Sequence, residues 1–181
     1  MDILNKILYL LLVTIMCCLV SFSSCNGNPE PATDLVGTFT WTEWQKKSGW
    51  KDHSASDYIP DTACANKLQE GIKSNSGNVR FELYISNWCT KDCEPQVPRV
   101  IKFLKAAGVN ESDIIIYGID RSRTEPQDAM LKWNNAFPNE ICRLPSLVIY
   151  LNNNILKKVK CETDDYPEWQ CKIEVPILMI E

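Results

Sequence analysis

Histidine is nearly absent: His53 is the only one in 181 residues. A metal site built mainly on imidazole is thereby excluded, and a Ser-His-Asp triad would have to use that one residue. His53 lies in a polar stretch and reads as a surface residue rather than a catalytic one. Long basic blocks are also missing. None exceeds Lys46-Lys47 or Lys157-Lys158, and the net charge is −4. Nucleic-acid partners ordinarily need a basic face, so this class of function is disfavoured. There is no internal repeat and no low-complexity tract, and the ordinary apolar and charged fractions give no sign of disorder.

The N-terminal apolar run, "ILYLLLVTIMCCLV" from Ile7 to Val20, has fourteen residues and follows Lys6. That suits the core of a signal peptide and falls short of the roughly 20 residues that cross a bilayer as a helix. "SFSSC" follows, ending at Cys25. Small residues directly before a cysteine resemble a bacterial lipobox, where cleavage leaves the cysteine as a lipidated first residue. Phe22 departs from the Leu or Val usual there. The alternative is an ordinary secretory peptide with an incidental Cys25. Either way the expectation is a chain exported from the cytoplasm, anchored in a membrane where Cys25 is lipidated and facing the periplasm or cell surface. A two-state dithiol is at home there.

Residues 25–34 are polar and rich in proline and glycine, and read as a tether. Residues 35–76 read as an N-terminal extension. Its Phe39 and Trp41 alternate with threonines as in a short strand, and Lys46-Lys47-Ser48-Gly49 suggests a turn. Asp61 suits the N-cap of a helix running to about Ser74. Trp41, Trp44 and Trp50 are expected to pack onto the main domain, with a partner-binding surface as the lesser alternative. From Val79 onward the pattern alternates strands and helices. "VRFELYI", "DIIIYGI", "SLVIYL" and "ILKKVKC" read as strands, and "EPQVPRVIKFLKAAG" and "EPQDAMLKWNNAF" as helices. "NNN" at 152–154 makes the turn of a terminal hairpin. "YPEWQCKIEVPILMIE" begins as a short helix, and Pro176 turns its end into an irregular apolar tail. The order β-α-β-α-β-β predicts an α/β fold with a central mixed sheet flanked by helices.

The chemistry centres on "YISNWCTKDCEPQVP", residues 84–98. Cys89 falls between a strand and a helix, where the helix dipole lowers a thiol's pKa from its ordinary value of about 8.5. Cys93, four residues on, shares a helix face with it, within disulfide reach if the first turn is distorted. Over residues 77–165 the chain resembles the thioredoxin family. The resemblance rests on a strand ending in Trp88-Cys89, on Cys93, on Pro98 five residues beyond it, and on "RLPSLVIY" at 143–150. It implies a thioredoxin-like domain at 77–181, with Cys89 as nucleophile and Cys93 as resolving thiol. It implies also a cis-proline loop at Leu144 and Pro145 that, with Trp88, shapes a groove for an extended peptide. The partners it implies are client proteins bearing disulfides or thiols, and an electron donor or acceptor; it implies no cofactor. The spacing departs from the family, since "CTKDC" holds one residue more than Cys-x-x-Cys and lacks the Gly-Pro pair. The extra residue is expected to widen the first turn, with Lys91 favouring the thiolate and Asp92 opposing it. Where many relatives carry a buried acid this chain has Leu83; Glu82, one position away, is the possible proton acceptor.

Other readings remain open at this level. Cys-x-x-x-Cys on such a fold also resembles copper-delivery proteins of the Sco type. These add a later histidine, and here only Met130 or Cys142 stands in for it. Structural zinc through four of Cys89, Cys93, Cys142, Cys161 and Cys171 lacks paired knuckles. A peroxidase would need a Thr-x-x-Cys motif that "ISNWC" does not supply. A non-catalytic thioredoxin-like binding module is a further class, and an inert crosslink over so short a loop would stabilise little. Cys142 is expected near Cys89 as an accessory thiol or else as a buried small residue. Cys161 and Cys171 could form a structural disulfide, which an exported chain permits, and Cys64 reads as buried and inert; the sequence leaves the pairing of Cys64, Cys142, Cys161 and Cys171 open.

Overall fold

The computed structural model describes residues 33–50, 55–75, 78–122, 128–161 and 169–175. Cys25, His53, the apolar run and the tail beyond Pro176 lie outside them. The strands are β1 (Gly37–Phe39), β2 (Val79–Ile85), β3 (Ile114–Gly118), β4 (Ser146–Leu151) and β5 (Asn154–Lys160). The helices are α1 (Trp41–Ser48), α2 (Thr62–Ser74), α3 (Cys93–Ala106), α4 (Asp128–Ala136) and α5 (Trp169–Lys172). The strands form one mixed sheet in the order β1-β3-β2-β4-β5. Only β2 and β3 run parallel, and their connection carries α3; the other neighbours are antiparallel. The α/β class is as expected. No helix among the described residues is long and apolar enough to cross a membrane.

The central strand β2 is covered on both sides, with every residue but Arg80 buried. Strand side chains alternate between faces, so Arg80, Glu82 and Tyr84 share one face. Tyr84 stacks on Tyr117 at 5.1 Å and meets Trp133 of α4 edge-on at 5.1 Å. Phe81, Leu83 and Ile85 take the opposite face. There α3 supplies Val97, Val100, Phe103 and Leu104, all fully buried.

Residues 35–76 are more tightly joined to the domain than an appended extension. β1 pairs with β3 and closes one edge of the sheet. The short strand ends at Phe39, and the residues from Trp41 onward, expected as strand and turn, form α1 instead. Thr40 is the reason. It caps the helix in a reciprocal box with Glu43, each side chain meeting the other's backbone N–H, and this satisfies two amides that would otherwise lack partners. Trp41, Trp44 and Trp50 are all buried. Phe39, Trp44 and Trp50 form an edge-on series with centroids 5.4 Å apart. The helix start at Asp61 is as expected, with its carboxylate accepting the Cys64 N–H at 2.9 Å. The hairpin turn at Asn152 and Asn153 places both at positive φ, as a tight two-residue β-turn requires.

The disulfide is not the Cys161–Cys171 pair weighed above. Cys64 is bonded to Cys171, across 107 residues, and joins α2 to α5. Cys161 is buried and outside the disulfide, and its backbone N–H donates to the Pro145 carbonyl at 3.0 Å. The pairing follows from α2 packing on the C-terminal segment, a contact invisible to spacing along the chain. Gly71 marks the same contact, because a Cβ there would overlap the Val175 carbonyl oxygen. In an exposed helix interior, Gly→Ala is stabilising by about 1 kcal/mol. Here Gly71→Ala should instead destabilise by about 1–3 kcal/mol, read as a lower thermal midpoint of the oxidised protein. An unchanged or higher midpoint would mean that α2 does not sit against Val175.

Candidate functional site

The two site cysteines stand where β2 hands over to α3. The strand ends at Ile85, and Ser86 turns the chain: its carbonyl accepts the Cys89 N–H at 3.4 Å. The helix begins at Cys93 itself, so Cys89 lies in the turn ahead of it rather than in its first turn. The Cys89 carbonyl accepts two amides, Cys93 N at 2.9 Å and Glu94 N at 3.3 Å. The second is an i to i+5 bond, wider than an α-turn, as expected of the extra residue. Asp92 makes no side-chain cap.

The two thiols occupy unlike environments. Cys89 is half-buried and Cys93 fully buried, and neither is in a disulfide. The Cys93 S–H donates to the Cys89 sulfur, and the backbone N–H groups of Cys93 and Asp92 reinforce it. These bonds bring the Cys89 thiol down to about 7, against the opposing effects of burial and of the Asp92 carboxylate. Burial pushes the Cys93 thiol well up, and its bond to Cys89 and the charge there push it further. When protonated, Cys89 turns its S–H to the Leu144 carbonyl at 3.9 Å. The Leu144–Pro145 peptide bond is cis. The turn is thus brought against the 143–146 loop, which joins three of the expected residues, Cys89, Cys93 and Leu144, in one place and sets Pro145 beside them. Trp88 is half-buried, with its indole N–H donating to the Ile119 carbonyl at 3.2 Å.

The two expected accessory residues, Glu82 and Cys142, are both buried. The Glu82 carboxylate is fully buried on the α4 face, 2.7 Å from Lys132 Nζ and 3.2 Å from Arg80 Nε, and it accepts the Tyr84 hydroxyl at 3.1 Å. Burial works against the charge on Lys132, but its bonds to Glu82 and Tyr117 prevail and leave its pKa raised. None of these partners is a cysteine, so Glu82 serves an ion cluster within the sheet layer. Cys142 is buried in the same loop as Leu144.

Three residues escape sequence reasoning. Ser86 is fully buried, and its backbone meets the Cys93 thiol. Gln96 is fully buried one turn beyond Cys93, and its side-chain amide has no hydrogen-bond partner among the described residues. Asn87 accepts the Leu35 N–H at 2.9 Å, which ties the N-terminal segment to the residue before Trp88. A polar residue among apolar neighbours at 86 and 96 was the available signal. The Asn87 contact spans 52 positions and left none.

Among the described residues, the cysteine pair is not joined by a third Cys, His, Asp or Glu in a metal-binding cluster. The one cluster of that kind, Asp61 with Cys64 and Cys171, has both its sulfurs in the disulfide. No protein-family model matches the chain, and no curated protein or solved structure is similar enough to be matched.

The thiol geometry predicts a pH profile. Alkylation of Cys89 should rise with a midpoint near pH 7, with Cys93 reacting far more slowly. In Cys93→Ala the thiolate loses its strongest donor, so the midpoint should climb towards the ordinary value of about 8.5. Peptide mapping of the alkylated protein across pH reads both values. A midpoint unmoved by Cys93→Ala would show that Cys93 is not the stabilising donor.

Proposed function

We propose that the protein is a thioredoxin-like thiol–disulfide oxidoreductase, exported and held at a membrane through Cys25, that exchanges disulfides with client proteins. The observation carrying this reading is the split between the two thiols: an accessible one lowered to about 7 beside a buried one pushed upward. The element order, the parallel β2–β3 pair and the approach of the Leu144 carbonyl to Cys89 support the thioredoxin-like assignment of the fold. The thiolate is the attacking species in exchange, and a thiol with a pKa near ambient pH combines thiolate fraction with nucleophilicity best.

In the reducing direction, the Cys89 thiolate attacks one sulfur of a client disulfide. A Cys89–client S–S bond forms, the client S–S bond breaks, and the second client sulfur leaves as thiolate and takes up a proton. Cys93 then loses its proton and attacks the Cys89 sulfur. The Cys89–Cys93 disulfide forms and the client thiolate departs. The pair is oxidised by two electrons and the client reduced by two. Run from the oxidised pair, the same steps pass the disulfide to a client dithiol. Trp88 and the Leu144–Pro145 loop flank the attacked sulfur.

Cys93→Ser should accumulate mixed disulfides with clients through Cys89, since nothing remains to release them. Cys89→Ser should accumulate none. Non-reducing gels with mass identification read the result. Trapping by Cys89→Ser alone would reverse the two roles. If neither variant traps clients and the wild type reduces no small disulfide, the enzyme reading fails, and copper loading of the pair becomes the measurement to make. Separately, Cys25→Ser should move the protein from membrane to soluble fractions; unchanged partition would remove the lipid anchor.

A further inference from the structure

A cavity of about 270 Å³ opens beside the loop that receives Cys89. Its lining includes Trp133 of α4, Glu140 and Ile141 ahead of the loop, Arg143 in it, and Lys158 and Lys160 of β5. The sheet register puts these cations together: Ser146 pairs with Lys160 and Val148 with Lys158, so both lysines point to the face that Trp133 covers. Ser146 closes the cavity's inner side, its hydroxyl donating to the Arg143 carbonyl.

Among the described residues, the charges that line this cavity are not balanced. Lys158 is paired with Glu140 and lies over the Phe137 and Trp133 rings, 4.4 and 5.2 Å from their centroids. That pair cancels itself. Arg143 and Lys160 are exposed and take part in no ion pair among the described residues. Two cations without an ion-pair partner among the described residues therefore border one cavity in a chain whose net charge is −4. An apolar element adjoins them: Ile141 is 75% exposed at the rim. A small inorganic anion has no use for that surface, whereas a polypeptide carrying an acidic side chain would cover it. The position completes the argument. Arg143 directly precedes Leu144, whose carbonyl accepts the Cys89 thiol. A chain lying along the loop would thus present one residue to the sulfur and a near neighbour to the cations.

We propose that this cavity recognises an acidic side chain, Asp or Glu, close to the reactive cysteine of an extended client polypeptide. The assignment rests on the exchange reading above for its client, and on the cavity alone for its charge preference. Exposed ion pairs are individually weak, so the discrimination expected from two cations is about three- to tenfold and falls with salt.

The test separates the two. Fluorescent cysteine-free peptides of one sequence, with Glu, Gln or Lys at the variable site, are titrated against the reduced full chain and followed by anisotropy. The Glu peptide should bind tightest, by about three- to tenfold over Gln, and the advantage should vanish at high salt. The charge-reversed Arg143→Glu/Lys160→Glu protein should invert the order and prefer the Lys peptide, which a merely structural change would not do. Equal binding of Glu and Lys peptides, or an order that survives charge reversal, overturns the proposal. So does competition by inorganic phosphate as tight as that of the Glu peptide, since the site would then belong to a free anion. The matching disulfide-bearing peptides give the reduction rates. If binding inverts as expected but no peptide is reduced, the cavity's acidic preference holds and the exchange reading falls. If the peptides are reduced at rates blind to their charge, exchange holds and the recognition role falls.

Discussion

The register of β2 is the constraint on which the rest of the structure depends. This strand is buried on both faces, and the side-chain period in a strand is two. Its odd-numbered residues therefore pack under α3 while its even-numbered ones meet α4. A slip of one position would drive Glu82 among Val97 and Leu104 and strand Lys132 without its carboxylate. The ion cluster thus acts as a registration device. Arg80 and Lys132 approach Glu82 from the strand and from α4, and Tyr84 donates beside them. A buried carboxylate with those partners is tolerable, and without them it is very costly. By fixing β2 against β3 and β4, the cluster also fixes where β2 stops, and so where Ser86 turns the chain towards Cys89.

From that turn the site is assembled by backbone as much as by side chains. The Cys89 carbonyl receives two helix amides, the Ser86 carbonyl receives the Cys89 amide, and Leu144 offers its carbonyl to the thiol. The N-terminal segment braces the same region: Leu35 bonds Asn87, and Asp34 accepts the Arg121 amide at 2.7 Å. Trp88 is held between them through Ile119. This explains why the tryptophan-rich segment is integrated with the sheet. Its buried aromatic series is the weight behind β1, and β1 closes the edge of β3 beside the loop that steadies Trp88.

Much of this was legible in the sequence. The continuously apolar runs of β3 and β4, the helical spacing of Val97, Val100, Ile101 and Leu104, and the Asn-rich turn are local signals with direct physical causes. The cysteine pair and its widened turn followed from one extra residue. What escaped was set by contacts between distant segments. Thr40 and Glu43 outweighed the alternating pattern at 38–41 because a capping box satisfies amides that a lone edge strand leaves open. The Cys64–Cys171 bond, the Leu35–Asn87 bond and the cation-lined cavity each join residues whose nearness is a product of the fold. Glu82 is the instructive case. A carboxylate within a strand signals a buried charge, but only the strand's parity decides whether it lies under the thiols or on the other face.

That parity bears on how the pair would act in exchange. With Leu83 on the α3 side and Glu82 turned away, no carboxylate of β2 is aimed at Cys93 to take its proton. The pair itself offers another means of timing. Once Cys89 is ionised the two sulfurs share its charge, and they titrate as a coupled pair rather than as independent groups. Cys93 is held protonated by three main causes: its burial, its donated bond to Cys89, and the negative charge on Cys89. In the proposed exchange, attack on a client disulfide would turn Cys89 into a neutral, covalently bonded sulfur. The charge then disappears and the donated bond weakens, since the acceptor is no longer a thiolate. The first chemical step would thus remove one of the three causes and weaken another, while the Ser86 backbone contact that favours the Cys93 thiolate acts in the same direction. In the proposed exchange the acidity of Cys93 would therefore rise when the mixed disulfide forms and not before. A fully buried thiol beside a half-exposed one suffices for that ordering, and it requires no acid beneath the site.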